Sequence, residues 1–361
     1  MTLRQPQTLA SRSLALLRAW LGRVAGQHRN LAGVVLLALF MGTLPLWIST
    51  PYVLSTLVLM GIYSIVTIGL CLLVGYAGQI SLGQAAFFGL GAYGSAILST
   101  RFGWSPWLAL VASALITGAI AYLVGIPIFR LRGHYLAMGT LAFGVIVHIV
   151  MSEWKVYTGG PTGLPGIPRL MIGGFPLKSD LVYYYLVWTF VLAALAIALN
   201  IVNSRFGRAL RAIRASEPAA ESLGVPITQY KLQALVVSAV YASVAGSLYA
   251  HYMIFVSPSA FDFGVSVRFL LMAAVGGLAS IWGAPFGTAA VILLNLALRE
   301  LIPLLTHRST GEQQIIAYGI LLVIIMIFMP EGLTAGGLQA LRRAGGWGAV
   351  VRRLLRSQRG H

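Results

Sequence analysis

The amino-acid sequence predicts an all-α chain: a polytopic transmembrane helix bundle of about ten spans, some broken, with both termini cytoplasmic. Three observations carry that reading. Of 361 residues, 58% are hydrophobic and only 9% charged, against roughly 45–50% and about 25% in soluble domains, so water cannot be the main neighbour of the surface. The net charge of +17 is strong enough to suggest nucleic acid, but the cations sit in a few short loops between long uncharged runs, which points to a lipid bilayer instead. The one cysteine, Cys71, lies inside such a run, which leaves no disulfide framework and no cysteine zinc site.

A spanning helix takes about 20 predominantly apolar residues. Taken in order, such stretches run 31–48, 52–74, 83–98, 107–129 and 135–151, then 181–202, 232–256, 265–281, 284–302 and 315–329. The third, eighth, ninth and tenth are short or interrupted by glycine, so ten spans, or eight with re-entrant pieces, fit the pattern. Cytoplasmic loops carry an excess of Lys and Arg. With the N-terminus inside, the inner segments collect Arg4, Arg12, Arg18, Arg23 and Arg29, then Arg130 and Arg132. They also collect Arg205, Arg208, Arg211, Arg214 and Lys231, and in the tail Arg342, Arg343, Arg352, Arg353, Arg356 and Arg359.

The chain therefore divides into a basic cytoplasmic or interfacial segment at 1–30, a membrane domain at 31–332 and a basic tail at 333–361. Within the domain, residues 203–231 form the long cytoplasmic loop. The first segment has the charge of a targeting peptide. A cleaved signal, however, has an apolar core of roughly 7–15 residues, and here a full span follows. Arg12, Arg18 and Arg23 interleaved with Leu14, Leu16, Leu17 and Leu21 predict an amphipathic surface helix. The tail from Ala340 reads alike.

Several function classes are disfavoured. Ion-coupled carriers keep carboxylates or paired histidines inside their spans, because a charge there is expensive. Here Glu153, Asp180, Glu217, Glu221, Asp262, Glu300, Glu312 and Glu331 all fall in loops or at span ends, and His148 and His251 stand singly. No His is followed by Glu, and no Gly-x-Ser-x-Gly elbow occurs, so neither a zinc-protease helix nor a serine-hydrolase site is written here, and no catalytic residue or metal ligand is assigned. Gly89-Leu-Gly91-Ala-Tyr-Gly94 matches the dinucleotide fingerprint by letter, but it sits in an apolar helix and reads as close helix packing. No lysine follows a glycine, so there is no phosphate-binding loop. The chain is expected to hold no cofactor of its own and to catalyse no reaction.

Three constellations hold the polar information. The first, residues 75–89, joins the second and third spans and contains Gly75, Tyr76, Gly78, Gln79, Ser81, Gly83 and Gln84. Non-helical backbone at membrane depth is tolerated only inside protein or along a cavity, and transporters build substrate sites from such broken helices. An ordinary cytoplasmic turn before a tightly packed helix fits the same letters. A related Gly-rich stretch at 276–287 admits a parallel internal repeat. The second is the inner loop, where Arg208 and Arg211 lie three apart on one helical face. Ser216 then caps a short helix that Gly224 stops, with Pro226 behind it. The third is the outer loop Thr158–Pro168, whose Gly159, Gly160, Gly163 and Gly166 and three prolines specify consecutive turns.

The stretch Gly75-Tyr-Ala-Gly-Gln-Ile-Ser-Leu-Gly-Gln-Ala-Ala-Phe-Phe-Gly-Leu-Gly-Ala-Tyr93 resembles the signature of the LivM-type permease subunits of bacterial branched-chain amino acid ABC transporters. The outer loop and Gly207-Arg-Ala-Leu-Arg-Ala-Ile-Arg214 fit the same family. Glu217, Ala219, Ala220 and Gly224 match its coupling motif, with Pro218 a departure tolerable only in a first helical turn. The similarity runs over 55–332; the basic extensions are longer than the family core needs and have no assigned role. The resemblance implies a multi-pass subunit of the bacterial inner membrane. It would pair with a LivH-type permease, two cytoplasmic ATPases that bind the ATP, and a periplasmic substrate-binding protein, and no nucleic acid is involved. It also implies branched-chain or other hydrophobic amino acids as cargo, with urea or short amides carried by relatives.

Overall fold

The computed structural model describes residues 32–47 and 50–306, except 132, 173, 174 and 178, together with residue 319. The expected span at 315–329 (residue 319 apart) and both basic extensions lie outside the described residues. Two compact units comprise residues 1–49 and 50–361. In the first, α1 (Ala32–Trp47) is a short apolar helix, and Thr43 returns its hydroxyl proton to the carbonyls of Leu39 and Phe40, each 3.1 Å away.

The second unit begins with α2 (Pro51–Leu70), whose proline sits in the first turn, where its missing N–H is no loss; α2 runs on into a π-helical stretch, Cys71–Tyr76. Next come α3 (Gln84–Thr100), α4 (Pro106–Ile128), α5 (His134–Glu153) and the single turn α6 (Lys155–Thr158). Short strands β1 (Leu164–Pro165), β2 (Met171–Ile172) and β3 (Phe175–Pro176) follow. The chain continues through α7 (Asp180–Asn203), α8 (Arg205–Ala215), α9 (Glu217–Ser222) and α10 (Ile227–Met253). It then makes β4 (Phe255–Val256), α11 (Phe263–Gly276) and α12 (Gly283–Thr306). β1 pairs antiparallel with β4, and β2 with β3.

Six stretches among the described residues are long and apolar enough to cross a membrane: Pro51–Tyr76, Pro106–Ile128, Tyr135–Glu153, Asp180–Asn203, Ile227–Met253 and Pro258–Gly276. The result is a mostly helical, polytopic membrane protein. Burial orders the helices: 89% of the α2 span is covered but only 22% of the α5 span, so α2 is central and α5 peripheral. Against α2 pack α7, α10 and the α11–α12 hairpin, while α3 and α4 pack on α10.

Lipid tails are as apolar as leucine, so close backbone approach and van der Waals packing hold such a bundle together. Gly91 shows how. A Cβ there would run into the backbone of Ser243, and Ser113 and Ser247 both donate to its carbonyl, at 2.9 and 3.0 Å. The letters that imitate a dinucleotide fingerprint thus seat α3 on α4 and α10. Around Phe88 the rings of Tyr63, Tyr249, Phe261 and Phe269 form an aromatic core, centroids 5.4–6.2 Å away.

Candidate functional site

The connection between α2 and α3 is built at bundle depth. A Cβ on Gly75 would strike the carbonyl of Leu278 in the α11–α12 turn, which fixes the level of the π-helical end and brings the two Gly-rich stretches into contact. Ten residues on, the backbone N–H of Ala85 donates to Ser266 Oγ at 2.9 Å. Ser266 stands roughly 15 Å up α11 from Gly276, at 1.5 Å per helical residue. Gln84 Nε2 independently meets Ser238 on α10, 3.2 Å from its carbonyl and 3.1 Å from its hydroxyl, roughly 16 Å beyond the start of that helix. The segment 77–83 therefore climbs inside the bundle as irregular backbone, and α3 starts partway up. A simple turn would have left Ala85 level with Gly75.

Its polar groups are placed individually. Gly78 takes the left-handed conformation at φ 69°, which redirects the chain away from the π-helical axis. The backbone N–H of Gln79 donates to Leu73 O at 3.1 Å, and its side-chain Nε2 to Ala77 O at 3.0 Å. Leu82 N–H donates to Thr140 Oγ1 on α5 at 3.0 Å, and Gly83 lies against the Thr140 carbonyl. Tyr76 reaches the backbone of Ile281. Gln79, Ser81 and Gln84 are 8%, 2% and 0% exposed. Ser81 Oγ has no hydrogen-bond partner, a state that costs free energy in a dry interior. Beside the start of α3, a narrow cleft is lined by Leu82, Ala85, Leu141, Val145, Phe261 and Phe263, with Asp262 and Ser266 as its polar edge.

The inner loop folds as its caps predict. Ser204 accepts from the N–H groups of Phe206 and Gly207 to start α8, and Ser216 accepts from Ala219 to start α9. Pro218 occupies the first turn, and Gly224 ends the unit at φ 78°. Leu210, Ile213 and Ala220 are buried, whereas Arg208, Arg211, Glu217, Ala219 and Gly224 are exposed and Leu223 is 81% exposed. Glu217 pairs with Lys231 at 2.6 Å, and Arg208 Nη1 donates to Asn203 O at 3.3 Å. Arg214 links this loop to the first constellation: its Nη1 donates to the Gly75 carbonyl, and its stem packs on Gly78.

In the outer loop Gly159, Gly160, Gly163 and Gly166 all have positive φ, from 64° to 79°, as consecutive turns require. The loop is fastened in two places. One is the β1–β4 pair. The other is His251, fully buried, whose Nδ1–H donates to Pro168 O at 2.7 Å while Nε2 meets Ser95 Oγ at 2.8 Å. The lone histidine is therefore a structural tie.

The partners that hold the segment, Thr140, Ser238 and Ser266, carried no signal in the sequence, because they lie 58–181 residues from the groups they bind. Arg268 was missed for another reason. Counting cations by loop leaves it on the outer side, yet it lies within α11. The described residues hold no group of three or more His, Cys, Asp or Glu that could bind a metal.

Apolar spanning helices enclosing an unwound, amide-lined segment, with a capped helix pair projecting beneath it, define a membrane transport subunit. The family profile described as "Branched-chain amino acid transport system / permease component" matches residues 52–330, and the chain belongs to that family. It is a permease family, not an enzyme family. The chain is 34% identical over 295 residues to the high-affinity branched-chain amino acid transport permease LivM of Salmonella typhimurium and equally to that of Escherichia coli, covering 75% of this chain and 67% of each relative. It is 24% identical over 288 residues to the E. coli permease LivH, covering 75% and 90%. Among solved structures, PsaBC from Streptococcus pneumoniae in complex with Fab aligns over 80% of this chain and 95% of its own, at TM-score 0.41 and 14% identity.

Proposed function

We propose that this chain is one of two homologous permease subunits in an ATP-binding cassette importer of the bacterial inner membrane, moving branched-chain and other hydrophobic amino acids inward by alternating access. Two cytoplasmic ATPases bind and hydrolyse the ATP, and a periplasmic protein delivers the cargo. In the full chain about ten spans cross the bilayer, and both termini face the cytosol.

The observation that carries the reading is the contact of Arg214 with Gly75 and Gly78. It joins a loop built to dock to a segment built to rearrange. An 81%-exposed leucine, Leu223, beside Glu217, Ala219 and Gly224 suits a groove on an ATPase. Closure of the ATPase dimer displaces α9. The displacement passes through α8 and Arg214 to the unwound segment, and through α10 and Ser238 to Gln84. Irregular backbone shifts more readily than a helix, because fewer hydrogen bonds must break together. The cleft beside it has room for about one water molecule here, so the cargo would enter only after the segment has moved.

The test is reconstitution of the whole complex in proteoliposomes. Leucine accumulation is expected to require ATP, and Gly224→Pro is expected to lower uptake at least tenfold with the subunits still assembled. Uptake that survives ATP depletion, or urea accumulating in place of leucine, would sink this assignment.

A further inference from the structure

α11 carries a full charge at the depth of the bundle. Arg268 is exposed, five residues into the helix. Its chain neighbour Phe269 is buried, with its ring against that of Tyr63, centroids 5.5 Å apart. Tyr63 lies at the middle of the 26-residue stretch Pro51–Tyr76, roughly 18 Å from either end at 1.5 Å per residue. That is farther than an arginine stem can snorkel to a headgroup. Among the described residues Arg268 has no carboxylate partner; the salt bridge found there joins Lys231 and Glu217. A guanidinium at mid-span cannot be left facing hydrocarbon. Such groups face a water-filled cavity or the interior of a larger bundle, and they mark solute pathways.

We infer that Arg268 lines the translocation path and takes the carboxylate of a passing amino acid through paired, charge-assisted hydrogen bonds. This rests on the amino-acid cargo proposed above and adds the group that would recognise its backbone. The planar guanidinium fork matches a carboxylate in geometry. Among the described residues no carboxylate holds the guanidinium, so the contact would be transient, as conduction through a path requires. Urea and neutral amides offer no carboxylate, so a path built for them would have no use for this charge.

The experiment uses the complete complex, with its partner permease, ATPases and binding protein, in proteoliposomes. Arg268→Gln is expected to lower leucine uptake at least tenfold while the subunits copurify and basal ATP hydrolysis is kept, and Arg268→Lys is expected to restore part of the uptake. Arg268→Cys supplies a second readout, because Cys71 is buried. The new thiol should react with a charged, membrane-impermeant thiosulfonate, and leucine should slow that reaction. Normal uptake by the glutamine variant overturns the inference, as does an unreactive thiol. Dissociation of the complex by the glutamine variant also overturns it, since the charge would then serve subunit pairing. A wild-type complex that fails to move leucine sinks the cargo reading itself, a result distinguishable from any effect of the variants.

Discussion

Ser81 is the residue at which the proposed substrate path can be weighed against stability. Its hydroxyl is buried without a partner, and a buried unsatisfied group of this kind costs about 1–3 kcal/mol. Ser81→Ala is therefore expected to leave thermal stability in detergent unchanged or raised by up to about 1 kcal/mol, while altering the rate or preference of transport. Melting curves and uptake kinetics measured side by side check this. A destabilised variant with normal uptake would place Ser81 in the packing and not in the path. Gln84 differs: its amide is already engaged with Ser238, whereas Ser81 three residues earlier has no partner. The sequence marked both, because Gln and Ser among glycines stand out in an apolar run. It could not rank them, since ranking depends on the serine at position 238.

At the scale of elements, the inner loop was the most legible part of the molecule. Ser216, Pro218, Gly224 and Pro226 are local signals whose physics is complete within ten residues, and α9 forms between them. Glu217 was read as a docking residue, and its ion pair with Lys231 adds a competing explanation. Glu217→Lys is expected to uncouple ATP hydrolysis from uptake. The swap Glu217→Lys with Lys231→Glu discriminates the two: it restores coupling if the carboxylate only braces α10, and fails to restore it if the carboxylate meets the ATPase. Glu217 is 49% exposed on its side chain, so the pair contributes at most about 1 kcal/mol to stability, and both variants should fold. The unwound segment was half legible. Its irregularity was written in Gly75, Gly78 and Gly83, but its climb through the bundle is fixed by contacts with α5, α10 and α11 that no local pattern announces.

For the whole molecule, composition and long apolar runs made the helical, multi-pass architecture legible, because they are properties summed over hundreds of residues, while the segregation of arginines supplied the proposed orientation. The same summation hid Arg268, since a rule that sorts cations by loop has no place for one inside a span. Orientation is open to direct measurement. A cysteine placed at Leu223 is expected to react with an impermeant reagent only from the cytosolic side, and one placed at Gly166 only from the outside. Labelling of both from one face would invert or break the proposed topology, and the docking role of α9 with it.

The tie between Ser95, His251 and Pro168 gives α3 a fastening at one end, opposite its junction with the climbing segment at the other. At 17 residues, the helix is a stiff rod of roughly 25 Å. Tugging on the turn-rich loop above it would be felt below as a small axial slide, much as a plunger moves when its handle is pulled. In the proposed importer, a loaded carrier settling on that loop would in this way announce its arrival to the opposite surface before any solute has moved.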